Sequence, residues 1–503
     1  MRKVKKLLGL LLAAVMVLAM GATAFADEGT HTITAPNNGH TYEVYQIFTG
    51  DYSEGNDSQE GDSQTGKVLS NVKWGKNGTG TQDESVSEDI LTELKGANGS
   101  DTHLLAVITK YANLESDEFG TVSYESPLKV PSGYYLIKDV DGSQEGAQDS
   151  YTLYIVQVVG KDILIDPKAD VPTSEKKVDD KNDSNTSEDE ENWQDSADYD
   201  IGDEVPYLLT ATLPDNVSDY TSYTLKFVDT MSKGLTYVEN SAEVFVNGAS
   251  AGKVEPSSVA YSGEEAKYAG GTVLTWDLGD IKAAPYNAGD KAVITIEYKA
   301  ELNGSAVMGS AGNPNKMHIE FSNNPNGEGM GRTPDDTNIV FTYKVVVNKV
   351  DEDENPLAGA QFKLEKKLAD GSWTVINRFT VSEDQTTFTF EGLDDGDYKL
   401  SETVTPDGYN TIEPIEFTIT AEHDILSDDP RLTNLNGNSV TGEITFEAKP
   451  EDGSLTTDVI NKSGSTLPET GGMGTTIFYV LGAILVLGAG GLLIARRRTD
   501  SEK

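Results

Sequence analysis

Apolar residues recur at every second position over long stretches of this chain. Val205, Tyr207, Leu209, Ala211 and Leu213 form one such row; Ala292, Ile294, Ile296 and Tyr298 form another; Phe388 and Phe390 a third. In an extended chain, side chains two apart share a face, so each row predicts a strand with one buried side. Turn-forming clusters separate the rows, among them Asn323-Asn324-Pro325-Asn326-Gly327 and Asp394-Asp395-Gly396-Asp397. Many short strands between turn signals point to β-sandwiches. Helical spacing is confined to the first region. Ser85 with Glu88 reads as a capping box ahead of Ile90, Leu91 and Leu94, and Leu104, Val107, Ile108 and Tyr111 fall on one helical face. The expected fold class is mostly β: tandem immunoglobulin-like β-sandwich domains in an elongated array, the first domain carrying some helix.

Several apolar rows end in a polar residue. Tyr343, Val345 and Val347 lead to Lys349; Tyr398 and Leu400 lead to Glu402; Val459 leads to Asn461. Each polar residue keeps the inward parity of its row, and an unpaired buried charge is costly. A desolvated lysine releases its proton more readily, and a desolvated glutamate retains its own. A neutral amine beside an asparagine amide, with a protonated carboxyl bonded to it, is arranged for attack on the amide carbon. Ammonia leaves and a Lys–Asn isopeptide bond remains. Further upstream, Lys176 shares parity with Val178, whereas Lys177 pairs with Asp179 and is expected to face water. Leu225, Phe227 and Asp229 share a face, and Met317, Ile319, Phe321 and Asn323 share another.

Composition narrows the function. The 503 residues carry a formal net charge of −44, which disfavours nucleic acid and anionic membrane surfaces as partners. There is no cysteine, so disulfides, thiolate metal sites and a Cys nucleophile are excluded, and five histidines offer little for His-based catalysis or zinc. No nucleophile elbow, HExxH motif or His-centred triad is present, so an enzyme is not expected. Asp179–Asp200 is a very acidic insertion that reads as a solvated loop. A calcium loop is the alternative reading, but the stretch lacks the Gly and Glu at EF-hand offsets, so no metal or cofactor is assigned to it.

The two ends are addresses rather than fold. Residues 1–26 have a basic start, an apolar run from Leu7 to Met20 and small residues at Ala24-Phe25-Ala26, as in a secretory signal peptide. Near the other end, an uncharged run from Thr475 to Ala495 precedes Arg496, Arg497 and Arg498, which reads as a membrane span with a cytoplasmic basic tail. Composition breaks divide the remainder into domains at 27–167, 168–340 and 341–463, followed by residues 464–503.

Leu467-Pro468-Glu469-Thr470-Gly471 ahead of the span resembles the LPxTG sorting signal of sortase substrates in Gram-positive bacteria. Tyr398-Lys-Leu-Ser-Glu402-Thr-Val-Thr-Pro406-Asp-Gly408-Tyr409 resembles the YxLxETxxPxGY box of Cna B-type domains, and Pro356-Leu357-Ala358-Gly359-Ala360 with Phe362 matches the start of that family. Gly202-Asp203-Glu-Val-Pro-Tyr, Phe227-Val-Asp229-Thr-Met and Phe321-Ser-Asn323-Asn324-Pro325 are similar to the middle, isopeptide-forming domain of fimbrial shaft proteins. His40-Thr-Tyr42-Glu-Val-Tyr45-Gln-Ile-Phe48 and Gly133-Tyr134-Tyr135-Leu-Ile resemble the N-terminal domain of the same pilins.

The resemblance to sortase-assembled backbone pilins implies a set of roles. In the third domain Lys349 and Asn461 would be joined with Glu402 assisting. In the second, Lys176 would join Asn323 with Asp229 assisting; parity favours Asn323 over Asn324, though a bulge shifts this by one. Sortase would cut between Thr470 and Gly471 and pass the Thr470 carbonyl to an amine of the next subunit. Pilins carry a Tyr-Pro-Lys motif for that purpose at the join of the first two domains. Lys168 in Ile163-Leu-Ile165-Asp166-Pro167-Lys168 matches in place and in the Pro-Lys pair, while Asp166 departs from the usual Tyr. The implied partners are sortase, identical subunits and peptidoglycan, with room for minor tip and basal subunits and host surface molecules. The implied location is the cell wall, reached through a membrane-bound precursor. A wall-anchored monomeric adhesin on the same scaffold is the alternative; it would use Thr470 but not Lys168.

Overall fold

The computed structural model describes residues 30–54, 67–97, 101–144, 146–184 and 192–464, together with Leu481. The leader, the sorting signal and the rest of the expected span therefore lie outside the described residues. Among those described, no helix is long and apolar enough to cross a membrane.

Strands dominate, gathered into three successive groups. In the first, Lys67–Trp74, Thr41–Glu54, Gly133–Asp139 and Ile155–Val159 lie side by side in that order, and Gly120–Ser123 pairs with the start of Thr41–Glu54. A separate sheet is ordered Leu128–Val130, His31–Thr34, Ile163–Leu164. Gly133–Asp139 is buried at every residue. Tyr134 and Leu136 enter one core with the helices Glu88–Gly96 and Asp101–Tyr111, while Tyr135 and Ile137 enter a second core with the three-stranded sheet. A strand covered on both faces reads as a continuous apolar run, hence Gly133-Tyr134-Tyr135-Leu136-Ile137. The first helix starts two residues later than the expected capping box. Ser87 is its N-cap, without a side-chain cap bond, and Glu88 and Asp89 supply negative charge to the first turn.

The second group is a sandwich of two seven-stranded sheets. One contains Thr173–Asp179, Glu204–Thr212 and Val293–Leu302 as neighbours; the other contains Asp336–Phe341, Asn313–Ser322, Thr224–Met231 and Thr272–Asp280. Glu204–Thr212 alternates buried and half-buried residues through its length, as its apolar period requires. Trp276, Tyr207 and Phe227 are among the fully buried residues between the sheets.

The third group has two five-stranded sheets. Its first strand, Tyr343–Val350, lies parallel to its last, Ser454–Ile460, with Lys349 opposite Val459. The other sheet carries Gln361–Lys367, Gly396–Val404 and Ile415–His423.

The acidic insertion is not the solvated loop expected of it. Its later part, Trp193–Gln194, pairs with the end of Thr173–Asp179, and the chain then crosses to the other sheet, where Ser196–Asp198 runs parallel to Asp336–Phe341. Asp179, Ser196 and Asp198 are consequently buried. Asp179 accepts the Asn192 backbone N–H at 2.7 Å, so the parity argument that placed it in water with Lys177 is overridden by this returning strand. Lys177 is half-buried and pairs with Asp195 at 2.6 Å.

Candidate cross-link sites and an exposed lysine

In the third sandwich the inward row of Tyr343–Val350 ends at Lys349, which has no exposed surface. Its Nζ donates to the backbone carbonyls of Val350 at 2.8 Å and Val459 at 2.9 Å. Asn461 follows Val459 by two residues, shares its inward parity, and donates its backbone N–H to the Val350 carbonyl at 3.1 Å. Amine and amide are thus held by the same pair of parallel strands. Glu402 reaches the site from the facing sheet. The Asn461 Nδ2 donates to both its oxygens, at 2.9 and 3.1 Å. Glu402 Oε2 also accepts from Thr405 Oγ1 at 3.1 Å and from the Ile412 N–H at 3.2 Å, which fixes the carboxyl against the Asn461 side chain. The Asn461 Oδ1 is buried without a hydrogen-bond partner.

Burial brings the Lys349 ammonium down to about 8, against the opposing pull of Glu402 and Asp351. An amine at that value is neutral in roughly a tenth of molecules at pH 7, whereas an ordinary lysine is neutral in fewer than about one in a thousand. The site therefore combines a nucleophilic amine, an amide carbon and a carboxyl that bridges to the amide.

The second sandwich encloses Lys176 completely. Its Nζ donates to Asp229 Oδ2 and to the Tyr298 hydroxyl, the latter at 3.2 Å. Tyr298 in turn donates to Asp229 Oδ1 at 3.1 Å. The rings of Tyr207 and Tyr298 flank the amine at 4.6 and 5.3 Å from their centroids. Burial lowers the Lys176 ammonium and raises the Asp229 carboxyl, so it drives both partners toward their neutral forms. A neutral amine beside a carboxylic acid is again the reactive pairing.

The asparagine brought to this pair is not Asn323. In the strand Asn313–Ser322, Met317 stands opposite Asp229 and Asn315 stands opposite Met231. The Asn315 Nδ2 donates to the Tyr298 hydroxyl at 2.7 Å, the same oxygen that Lys176 reaches, and Asn315 Oδ1 is buried without a partner. Asn323 lies six residues beyond Met317, or about 20 Å along an extended strand. Its amide is instead spent on the carbonyls of Gln144 and Asp149 in the first domain. Its neighbour Asn324 bonds within its own loop, to the Glu328 carbonyl at 3.0 Å. Parity is shared by positions 315, 317, 319, 321 and 323 and so identifies the face but not the distance along it. The signal that selects Asn315 is the cross-strand register with Thr224–Met231. Asn338, opposite Asn315 on the next strand, donates to the Lys176 carbonyl at 3.1 Å and so fixes the lysine backbone.

Lys168 is exposed and stands between Ile163–Leu164 and Thr173–Asp179. Its backbone is pinned to the first domain: the N–H donates to Thr152 Oγ1 at 2.8 Å, and the carbonyl accepts from the Leu153 N–H at 3.2 Å. A fixed backbone with an outward side chain presents the amine to a neighbouring molecule. Leu467, Pro468, Glu469, Thr470 and Gly471 lie outside the described residues.

Family models match three stretches: a prealbumin-like fold domain at residues 343–429, a Gram-positive pilin backbone subunit 2 Cna-B-like domain at 201–325, and an LPXTG cell wall anchor motif at 460–501. The trypsin-resistant surface T6 protein of Streptococcus pyogenes serotype M6 is 26% identical over 579 aligned positions, covering 97% of this chain and 99% of the relative. Among solved structures, the T6 backbone pilin of the same serotype is 19% identical with a TM-score of 0.49, covering 87% of this chain and 98% of that one. The major pilin SpaD of Corynebacterium diphtheriae is 15% identical with a TM-score of 0.46, over 87% and 98% of the two chains. With a pilin-backbone domain, a prealbumin-like domain and a wall-anchor motif in one chain, and a surface protein matched along nearly its whole length, this chain is similar throughout to the backbone pilins of Gram-positive bacteria.

Proposed function

We propose that this pilin is polymerised covalently, with sortase joining Thr470 of one subunit to Lys168 of the next, and that internal Lys–Asn bonds brace its second and third domains. In the third domain the bond joins Lys349 to Asn461 with Glu402 assisting. In the second it joins Lys176 to Asn315 with Asp229 assisting, in place of the pairing to Asn323 expected from parity. Each closure runs the same way: the neutral amine attacks the amide carbon, the carboxyl donates its proton to the amide oxygen, and the amide nitrogen leaves as ammonia. The protein changes itself once, so it is not an enzyme in the turnover sense.

The observation that carries this reading is the Lys349 site. A fully buried amine, brought down to about 8 by burial, sits beside an asparagine bonded to both oxygens of a glutamate, all at the meeting of the first and last strands. A salt bridge alone would leave the lysine paired directly with the acid. Here the Nζ is donated to two backbone carbonyls instead. The exposed Lys168 supports the intersubunit link, and the anchor motif at 460–501 supports sortase as the agent and a membrane-bound precursor as its substrate. Peptidoglycan would receive the last subunit. The relative's printed description as trypsin-resistant fits a chain whose domains are tied shut.

The test is intact-mass measurement of the purified protein, which should be lighter by one ammonia for each internal bond. A mass equal to the linear chain would exclude both bonds. For polymerisation, wall extracts on a denaturing gel should show a high-mass ladder that collapses to monomer in Lys168→Ala. A single wall-linked species in the wild type would instead identify a monomeric adhesin.

A further inference from the structure

Residues 151–154 precede the strand Ile155–Val159 and belong to no sheet. A backbone N–H without a ladder partner must be satisfied elsewhere, and here all four are. The Tyr151 N–H donates to the Asn323 carbonyl at 2.7 Å and the Thr152 N–H to Asp139 Oδ2 at 2.6 Å. The Leu153 N–H donates to the Lys168 carbonyl at 3.2 Å and the Tyr154 N–H to Asn326 Oδ1 at 2.9 Å. Two of these bonds end on the second domain, and one ends on Lys168.

Asn326 grips the run on both sides of Leu153. While its Oδ1 accepts from Tyr154, its Nδ2 donates to the Thr152 carbonyl at 2.8 Å. A side-chain amide that gives to one residue and takes from the next but one does what the backbone of a parallel neighbour would do. Lys168 is fastened to the same run: its N–H donates to Thr152 Oγ1 at 2.8 Å, and its carbonyl accepts from Leu153. Thr152 has no exposed surface, so water cannot replace these bonds.

The loop that carries Asn326 is itself set. The Asn326 N–H donates to Asn324 Oδ1 at 3.0 Å, and Asn324 Nδ2 donates to the Glu328 carbonyl at 3.0 Å. Beside it the two domains meet backbone to backbone: the Gly146 N–H donates to the Met330 carbonyl at 2.8 Å, and the Arg332 N–H to the Ala147 carbonyl at 3.1 Å. At Gly331 an added Cβ would stand 2.9 Å from the Ala147 oxygen, too close for any side chain. Within the first domain, His40 ties the incoming segment to Gly133–Asp139, with Nδ1 2.7 Å from Asp139 Oδ1 and Nε2 2.9 Å from Asp149 Oδ2.

We propose that Asn326 is a positioning residue for the intersubunit lysine: through this amide the second domain sets the backbone from which the Lys168 amine projects, so that acceptor competence depends on the second domain as well as the first. The inference rests on the reading of Lys168 as the acceptor. The lysine side chain is long, exposed and rotatable, so its backbone is the part the protein can fix before a partner arrives. Attack of an amine on a carbonyl carbon held by another molecule is sensitive to placement, and a displacement of about 1 Å costs up to about a hundredfold in rate.

The test uses the full chain. Asn326→Ala removes both bonds, while Asn326→Asp keeps an acceptor for Tyr154 and loses the donor to Thr152. In pulse-labelled cells, cleavage at Thr470 depends on the donor's sorting signal and should keep its wild-type rate in both variants. Growth of the high-mass ladder should slow by about tenfold or more in Asn326→Ala and by less in Asn326→Asp. On the purified protein, hydrogen exchange at the Leu153 and Lys168 amides should quicken by on the order of tenfold in Asn326→Ala, with the amides of Tyr343–Val350 unchanged. Equal slowing of cleavage and ladder growth in both variants would mark a general folding defect and overturn the proposal. Unchanged exchange at Leu153 and Lys168 would overturn it whatever the ladder shows. A ladder that forms at wild-type speed in Asn326→Ala but vanishes in Lys168→Ala would overturn it and leave the polymerisation reading intact. A ladder that survives Lys168→Ala would remove that reading, and this inference with it.

Discussion

At the residue scale the chemistry turns on Lys349, Lys176 and Asp229, which burial drives toward their neutral forms. Glu402→Ala removes the carboxyl that bridges to Asn461 and should leave Lys349 unlinked, seen as a full-length mass that keeps one more ammonia than the wild type. Without a bond, Lys349 becomes a titrating group. Its folded value of about 8 lies below the ordinary lysine value in the unfolded chain, so between the two the unfolded state binds more protons. In Asn461→Ala, stability should therefore rise from pH 8 toward about 10.5 and fall on returning, by up to about 3 kcal/mol from this group. A wild type carrying the proposed bond would lack this dependence at Lys349 because an amide nitrogen does not titrate there; urea midpoints across that pH range check it. In the second domain, Asn315→Ala and Asp229→Ala should each retain one ammonia, whereas Asn323→Ala should not. Period-two parity assigned Lys349, Glu402, Asn461, Lys176 and Asp229 to inward faces, and the structure buries all five. It was not enough for Asn315, because an entire row of that strand has the same parity. Only the partner strand's register decides which member meets the lysine.

At the element scale the informative strands are those whose surroundings depart from one covered face. Gly133–Asp139 is apolar without alternation because helices cover one side and a small sheet the other. Truncating Tyr134 and truncating Tyr135 to Ala therefore strike different cores. Each should cost about 3–5 kcal/mol in urea unfolding, as for other large core aromatics. The acidic insertion departs in the opposite sense. Its composition announces solvent exposure, yet pairing with Thr173–Asp179 and Asp336–Phe341 buries Asp179 and Asp198. Composition describes the cost of burying a segment; here Asp179 accepts the Asn192 N–H and Asp198 faces His423, and the strand that pairs with Ser196–Asp198 lies far away in sequence, which a local reading does not contain. The parallel pairing of Tyr343–Val350 with Ser454–Ile460 is likewise non-local, and it brings the two ends of one domain to a single point. A covalent tie there closes a loop of roughly 110 residues and on the loop-entropy account adds about 4–5 kcal/mol, which Asn461→Ala should forfeit in thermal or denaturant unfolding.

At the scale of the whole molecule, the positions of the lysines define a route for tension. In the proposed polymer, load entering at Lys168 would run a short way to Lys176, cross to Asn315, follow the backbone to Lys349, cross again to Asn461, and leave through the segment that ends at Thr470. Residues 177–314 and 350–460 lie off that route, and so does the first domain, which precedes Lys168. With the proposed bonds in place, a surface protein without cysteine would resist extension because its folded sandwiches would hang beside the covalent path. The claim is measurable on polymers pulled at their ends. Wild-type subunits should give no unfolding step large enough to represent residues 177–314. Asn315→Ala breaks the first crossing, so that stretch of about 140 residues joins the loaded chain. At roughly 3.5 Å per residue, each subunit should then lengthen by about 490 Å when its second domain opens, less the width of the folded sandwich. Steps of that size in the wild type would mean that the load never crosses from Lys176, and the strand register that brings Asn315 to it would be without mechanical consequence.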